Sequence, residues 1–196
     1  SDRAVRCIEA SAGRRQPFFL SVHYTAPHWP WETRDDEAEA GRIAGALAHT
    51  DGGSVQTYQS MIHHMDEGIG RILDALHAQG LDESTVVVFT SDNGAERFSD
   101  TWPLVGKKMD LLEGGIRVPL LVRWPGRIAA GRVSRQVTIT MDWVATFLEW
   151  AGVAPHPEYP LDGESLCAHV ETQGQPNQRV LYWRMKYRDQ QALRDG

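Results

Sequence analysis

The pair Asp92-Asn93 follows the hydrophobic run 85–90 and is itself followed by Gly94. Carboxylate and side-chain carbonyl oxygens are the ligands that hard cations such as Ca²⁺ and Mg²⁺ prefer. We expect Gly94 to let the backbone turn sharply after the pair. The same three residues are also a favoured Asx turn for closing a strand, so alone they leave a metal site and a plain turn both open.

A second candidate, His28, lies in a loop between Pro27 and Trp29-Pro30. Because the prolines restrict the backbone, such a loop holds an imidazole at little cost in entropy. A histidine can donate to an anionic oxygen or protonate a leaving group near neutral pH. A lone histidine is more often a surface or core residue, and the residue by itself leaves that reading open.

A third candidate is the pair Lys107-Lys108, which precedes the turn Glu113-Gly114-Gly115. An ammonium group is a compact charge that suits a tetrahedral oxyanion. The same pair could equally be a solvated surface pair. We expect Glu113 to pair with a nearby cation such as Arg117 and so to support the loop.

These residues need a scaffold that brings the ends of several strands together. Hydrophobic patterns predict a helix over 1–12, a long helix that begins after Ser54 and stops at Gly80, and a helix near 142–151. They predict strands over 18–24, 85–90, 117–123 and 180–184, with a further strand opening at 191. Alternating strands and helices predict an α/β fold with a mostly parallel sheet flanked by helices. Ligands of such sheets collect at the carboxyl ends of the strands, where the three candidates lie.

Composition narrows the classes of function. The 196 residues are 41% hydrophobic and 23% charged, as in an ordinary globular protein. The formal net charge is −6 and no basic stripe occurs, which argues against nucleic-acid binding. No apolar run approaches the roughly 20 residues that span a membrane. The two cysteines, Cys7 and Cys167, do not have the spacing of a metal site.

Taken in order, several segments resemble the motifs of the sulfatase family. The segments are Pro17-Phe18-Phe19-Leu20 with Thr25-Ala26-Pro27-His28-Trp29-Pro30, Met65 to Gly70, Ser91-Asp92-Asn93-Gly94, Gly106 to Pro119, Trp124-Pro125-Gly126, and Asp162 to Leu166. The resemblance extends from about residue 1 to the end of the chain. The order of the motifs is more specific than any one of them.

The resemblance implies an alkaline-phosphatase-like fold and a divalent cation, usually calcium, held by four oxygen-bearing residues. Asp92 and Asn93 match two of these metal ligands, and the other two have no counterpart. His28 and Lys108 match the catalytic residues that contact sulfate and assist the leaving group. Lys107 is the weaker candidate, because Lys108 has the family's spacing to Glu113.

The family's nucleophile is a formylglycine made from Cys or Ser in a C/S-x-P-x-R motif. Neither Cys7 nor Cys167 begins such a motif. We therefore expect a fragment of a sulfuric ester hydrolase, truncated at both ends, that is inactive alone. Residues 1–155 would be part of the catalytic α/β domain, and residues 156–196 the start of a C-terminal subdomain.

The expected partner is a small-molecule or saccharide sulfate ester. We expect the substrate pocket to be lined by two loops, residues 32–53 and 95–106. Their sequences do not identify the substrate. A phosphonate or phosphate ester hydrolase of the same superfamily would use the same residues. The sequence also leaves open a non-catalytic binding protein and a plain α/β module without a site.

Overall fold

The computed structural model describes residues 1–34, 36, 38, 41, 52–172 and 175–196. These residues form two compact units, Ser1–Thr85 and Val86–Gly196. The candidate pocket loop over residues 32–53 lies mostly outside the described residues. The predicted domain boundary at residue 155 concerns the division of the whole protein and stays a prediction.

Of the described residues of the first unit, α1 (Asp2–Arg14) packs against α2 (Val55–Ala78). The buried residues on α1 are Ala4 and Ile8, and those on α2 include Met61 and Leu76. Helix α1 passes through Gly13, where the sequence pattern predicted a stop. It ends at Arg14 because Arg15 adopts a left-handed conformation with φ of 54°.

Both ends of α2 agree with the sequence prediction. The Ser54 hydroxyl accepts a hydrogen bond from the Thr57 amide at 3.1 Å, which satisfies one of the open donors of the first turn. Gly80 follows the last turn with φ of 66°, a conformation that glycine adopts without steric cost. A short 3₁₀ turn, Asp82–Ser84, follows. Within the described residues, no helix has the length and apolar character required to cross a bilayer.

The strand predicted over residues 18–24 is wrong. These residues run without a hydrogen-bonded partner strand among the described residues. The segment is not buried on both faces either, since Phe19 is 75% and Val22 39% exposed. Aromatic and β-branched residues favour an extended backbone, but a strand also needs a neighbour that local sequence does not reveal.

The described residues of the second unit form four strands and three α-helices. They are β1 (Val87–Thr90), α3 (Glu113–Ile116), β2 (Leu120–Arg123), α4 (Asp142–Ala151), α5 (Cys167–Thr172), β3 (Val180–Met185) and β4 (Gln190–Asp195). β1 pairs with β2 and β3 pairs with β4, both in antiparallel register. Each of these seven elements except α3 and α5 matches a predicted segment. The mostly parallel sheet is not confirmed, because both strand pairs of the described residues are antiparallel.

Aromatic side chains and one buried ion pair hold the second unit together. Trp124 packs edge-on against Trp150 at 5.2 Å between ring centroids. Asp142, at the start of α4, is fully buried and receives both terminal nitrogens of Arg179 at 2.7 and 3.0 Å. The same carboxylate accepts the Ile139 and Glu164 amides, so it joins three segments distant in sequence.

Candidate functional site

The Asp92-Asn93 turn begins immediately after β1. The Ser91 hydroxyl donates to the Asn93 carbonyl at 3.0 Å, and the Asn93 side-chain nitrogen donates to the Gly94 carbonyl at 2.9 Å. The second bond fixes the orientation of the Asn93 amide and leaves its Oδ1 atom as the end with cation-ligand chemistry. Asp92 is exposed and contributes two carboxylate oxygens of the same hard type.

Backbone hydrogen bonds join this turn to residues 106–115, which we call the lysine loop. The Gly94 amide donates to the Gly115 carbonyl at 2.8 Å, and the Ala95 amide donates to the Gly114 carbonyl at 3.2 Å. The Lys108 amide donates to the Ala95 carbonyl at 2.6 Å. These bonds bring three segments together within the second unit. They are the Asp92-Asn93 turn, the backbone of Lys108 and the Gly114-Gly115 turn.

Glycines make this meeting possible, and we call Gly94, Gly106, Gly114 and Gly115 the glycine junction. A β-carbon on Gly94 would overlap the Gly114 carbonyl oxygen, and one on Gly114 would overlap the Gly106 carbonyl oxygen. Gly94 was predicted to serve a sharp turn. Its φ lies outside the left-handed region, so close backbone approach is what requires glycine here.

The two lysines of the pair have different surroundings. Lys107 is exposed, and its amide donates to the Asp110 carboxylate at 3.2 Å. The Lys108 side chain is only 22% exposed, and its ammonium lies 3.6 Å from the Glu96 carboxylate. Lys108 is therefore the one of the two that both backbone and side chain hold against Ala95 and Glu96, the residues that follow the Asp92-Asn93-Gly94 turn.

The hairpin β3–β4 fixes the far side of the lysine loop. Arg194 donates to Glu113 at 2.9 Å, and Arg188 donates to Asp110 at 2.9 Å. Glu113 also accepts from Arg117 at 2.9 Å, which confirms the predicted pairing. Sequence reasoning identified the Arg117 contact from proximity along the chain and missed the two contacts from the hairpin, which are about 80 residues away.

His28 belongs to the first unit and is exposed. Its amide donates to the Thr25 carbonyl at 2.8 Å, and its Nδ1 atom lies 2.6 Å from the Trp29 carbonyl oxygen. A carbonyl only accepts, so Nδ1 carries the proton in this contact. The tautomer is thereby set, and Nε2 is the atom with acid–base chemistry to offer.

Within the ranges that the structure describes, no three His, Cys, Asp or Glu side chains come together as a metal-binding group. Asp92 and Asn93 have the oxygen donors that Ca²⁺ takes, but Ca²⁺ requires roughly six to eight such ligands. The pair therefore fits one part of a calcium site.

The environment of Cys167 decides whether it could act as a reactive thiol. Cys167 is buried, and its sulfur lies 3.7 Å from the Thr146 carbonyl oxygen. Burial raises the pKa of the Cys167 thiol, which disfavours the reactive thiolate. This environment is that of a structural cysteine.

Comparison with known proteins adds an independent line of evidence. The family model described as Sulfatase matches residues 1–153. The N-acetylgalactosamine-6-sulfatase of Canis lupus familiaris is 36% identical over 190 residues, which cover 92% of this chain and 34% of that protein. The chain spans about a third of the length of the curated relatives it matches.

Solved structures resemble the chain over nearly its whole length. The structure of Ps i-CgsB in complex with k-i-k-neocarrahexaose has a TM-score of 0.79 and 29% identity, and the match covers 92% of this chain and 40% of that one. The PsFucS1 sulfatase from Pseudoalteromonas sp. has a TM-score of 0.72 and 27% identity, covering 99% of this chain and 38% of that one.

Proposed function

The chain belongs to the sulfatase family, and from that premise we propose that it carries part of the sulfate and metal site of a sulfuric ester hydrolase. The observation that supports this most directly is the backbone bonding at the glycine junction. It joins the Asp92-Asn93 turn to the loop of Lys108 by bonds of 2.6 to 3.2 Å. The Asp92-Asn93 turn offers ligands for a cation, and Lys108 offers a partly buried ammonium on the same backbone framework. Two positive charges held in fixed positions stabilise a tetrahedral anion.

Each candidate residue receives one role in this proposal. The Lys108 ammonium binds a non-bridging oxygen of the sulfate ester, where charge accumulates as the ester bond breaks. His28, in the imidazolium form with Nδ1 still bonded to the Trp29 carbonyl, assists departure of the alcohol by giving a proton from Nε2. Asp92 and Asn93 would hold a divalent cation, most consistently Ca²⁺, which when bound neutralises sulfate charge.

The proposed substrate is a small-molecule or saccharide sulfate ester. Two observations favour a saccharide: a curated relative is an N-acetylgalactosamine-6-sulfatase, and a similar solved structure is a complex with a neocarrahexaose. An acidic chain with net charge −6 gains no long-range attraction for such an anion. Recognition therefore depends on local groups such as Lys108.

Hydrolysis is proposed for the whole protein, not for these 196 residues. No cysteine or serine of these 196 residues begins a C/S-x-P-x-R motif, so the family's nucleophile motif has no counterpart in this chain. Loss of a nucleophile costs many orders of magnitude in rate. We expect the purified chain to bind sulfate esters but to turn over none at a measurable rate.

Binding of phenyl sulfate by the purified chain, followed by calorimetry, tests this function. Lys108→Ala removes a charged partner and should weaken binding about tenfold or more. Lys107→Ala is the matched control, because it removes the same charge from the neighbouring, exposed position, and it should change affinity less than about twofold. Equal affinity of the Lys108→Ala variant and the unaltered chain would contradict the assignment.

His28→Ala is measured in the same assay, with His23→Ala as the control. His23 is exposed, and its ring bonds to the Ser21 hydroxyl at 2.9 Å, in the segment that precedes the His28 loop. We expect only the His28 variant to lose affinity, by about threefold or more, since it removes one hydrogen bond to the ester. Loss in both variants would point to damage of this segment instead.

A further inference from the structure

Residues 95–108 form a closed loop with an acidic group at its base. The two ends meet at the hydrogen bond between the Lys108 amide and the Ala95 carbonyl. Glu96, the next residue, places its carboxylate 3.6 Å from the Lys108 ammonium. Its backbone carbonyl accepts the Ser99 amide at 3.2 Å, so the position of Glu96 is fixed by the fold of the loop.

This ion pair lies in a partly desolvated place. The side chains of Lys108 and Glu96 are 22% and 32% exposed, so solvent screens their charges less than it would at the open surface. Any anion that reaches the Lys108 ammonium must also come close to the Glu96 carboxylate. The carboxylate therefore repels an incoming anion, and the repulsion grows with the anion's charge.

We propose that Glu96 is a specificity-determining residue that makes this site favour singly charged sulfate monoesters over doubly charged phosphate monoesters. The inference rests on the proposed role of Lys108 and extends it. Glu96 positions the ammonium and offsets its charge, so that each negative charge on the ligand also meets the carboxylate and a dianion is disfavoured more than a monoanion. Discrimination by an unfavourable contact with the wrong ligand is a general route to specificity.

The two ligand classes differ in charge but share a tetrahedral shape. A sulfate monoester carries one negative charge, whereas a phosphate monoester, with a second pKa of about 6, carries nearly two at about pH 8. One additional unit of charge a few ångströms from a carboxylate in a partly solvated site corresponds to about tenfold in affinity.

The test compares dissociation constants of phenyl sulfate and phenyl phosphate for the 196-residue chain at about pH 8. Glu96→Gln keeps the shape and removes the charge, and Glu96→Asp keeps the charge on a shorter side chain. Glu9→Gln, at an exposed position of α1, makes the same change in net charge and serves as the control. Circular dichroism of each variant verifies the fold.

We expect Glu96→Gln to tighten phenyl phosphate binding about tenfold more than phenyl sulfate binding. Glu96→Asp and Glu9→Gln should keep the original ratio of the two constants to within about threefold. The ratio is informative because a merely structural change weakens both ligands alike. An unchanged ratio in Glu96→Gln, with Lys108-dependent binding intact, overturns this inference alone. Binding that does not depend on Lys108 overturns the proposed function and this inference with it.

Discussion

At the level of single residues, neighbours in sequence carry different chemistry. Lys107 and Lys108 are identical side chains, yet one is exposed and the other is held beside Glu96 within the closed loop. A partly buried ammonium binds an anion more strongly than a solvated one, because less water competes for it. The spacing to Glu113 selected Lys108 from the sequence, and its burial is an independent reason for the same choice.

The thiols allow a test of the residue-level environment. Burial raises the pKa of Cys167, so a smaller fraction of it is thiolate at about pH 8, and the thiolate is the reactive form. We expect a disulfide reagent to modify the less buried Cys7 at least about tenfold faster than Cys167 in the folded chain. Peptide mass spectrometry at timed intervals measures both rates.

Denaturant provides the control for the thiol experiment. Once the chain is unfolded, both cysteines should react at similar rates. Faster modification of Cys167 than of Cys7 in the folded chain would mean that the buried, structural environment assigned to Cys167 is wrong.

At the level of elements, the glycine junction determines how the loops meet. Gly94→Ala places a methyl group on the Gly114 carbonyl, and neither backbone can move without breaking the bonds that join them. We expect this change to lower the free energy of unfolding by about 1–3 kcal/mol, as overpacking does elsewhere. Chemical denaturation measures the difference.

A glycine of α2 supplies the matched control. A β-carbon on Gly70 meets no heavy atom within 4 Å, and the residue lies inside the helix. Gly70→Ala should therefore raise stability by up to about 1 kcal/mol, because alanine favours the helix. If Gly94→Ala were as harmless as Gly70→Ala, the close approach at the junction would be refuted.

The buried ion pair between α4 and β3 carries a second prediction at this level. Arg179→Met leaves the fully buried Asp142 carboxylate without its guanidinium and should cost about 3–5 kcal/mol. Arg188→Met breaks the exposed pair with Asp110 and should cost about 1 kcal/mol or less. Thermal or urea unfolding distinguishes the two, and equal losses would contradict a special role of the buried pair.

The pH dependence of this stabilisation follows from the direction of the pKa shift. Hydrogen bonding to Asp142 raises the pKa of Arg179 above its ordinary value. A raised pKa of a basic group stabilises the fold fully at every pH below the unfolded-state pKa. The stabilisation is lost only as the pH rises through the folded-state pKa, which for an arginine lies far above neutral pH. The Arg179 contribution should thus stay constant between about pH 6 and pH 9.

Local chemistry explains which elements the sequence predicted. Ser54 and Gly80 mark the ends of α2 because capping and left-handed turns depend on a few adjacent residues. The failures depend on distant partners. Residues 18–24 have strand-forming side chains without a pairing strand among the described residues, and the antiparallel pairing of β1 with β2 depends on residues about thirty positions apart. The steric need for Gly94 is likewise invisible until Gly114 lies beside it.

At the level of the whole molecule, we assign anion binding to these residues and hydrolysis to the longer protein. The chain spans about a third of the length of its curated relatives, and the family's nucleophile motif follows neither of its cysteines. The Asp92-Asn93 turn, the glycine junction and Lys108 lie together in the second unit. Anion recognition is therefore the part of the proposed activity that belongs to these residues.

A nuclear magnetic resonance titration of the isotope-labelled chain with phenyl sulfate tests that recognition most directly. We predict that the side-chain signals of Lys108 and Asn93 shift together and saturate with one dissociation constant, while the side-chain signal of Lys107 stays in place. Shifts at Lys107 instead of Lys108, or no saturable shift at either Lys108 or Asn93, would contradict the sulfate site.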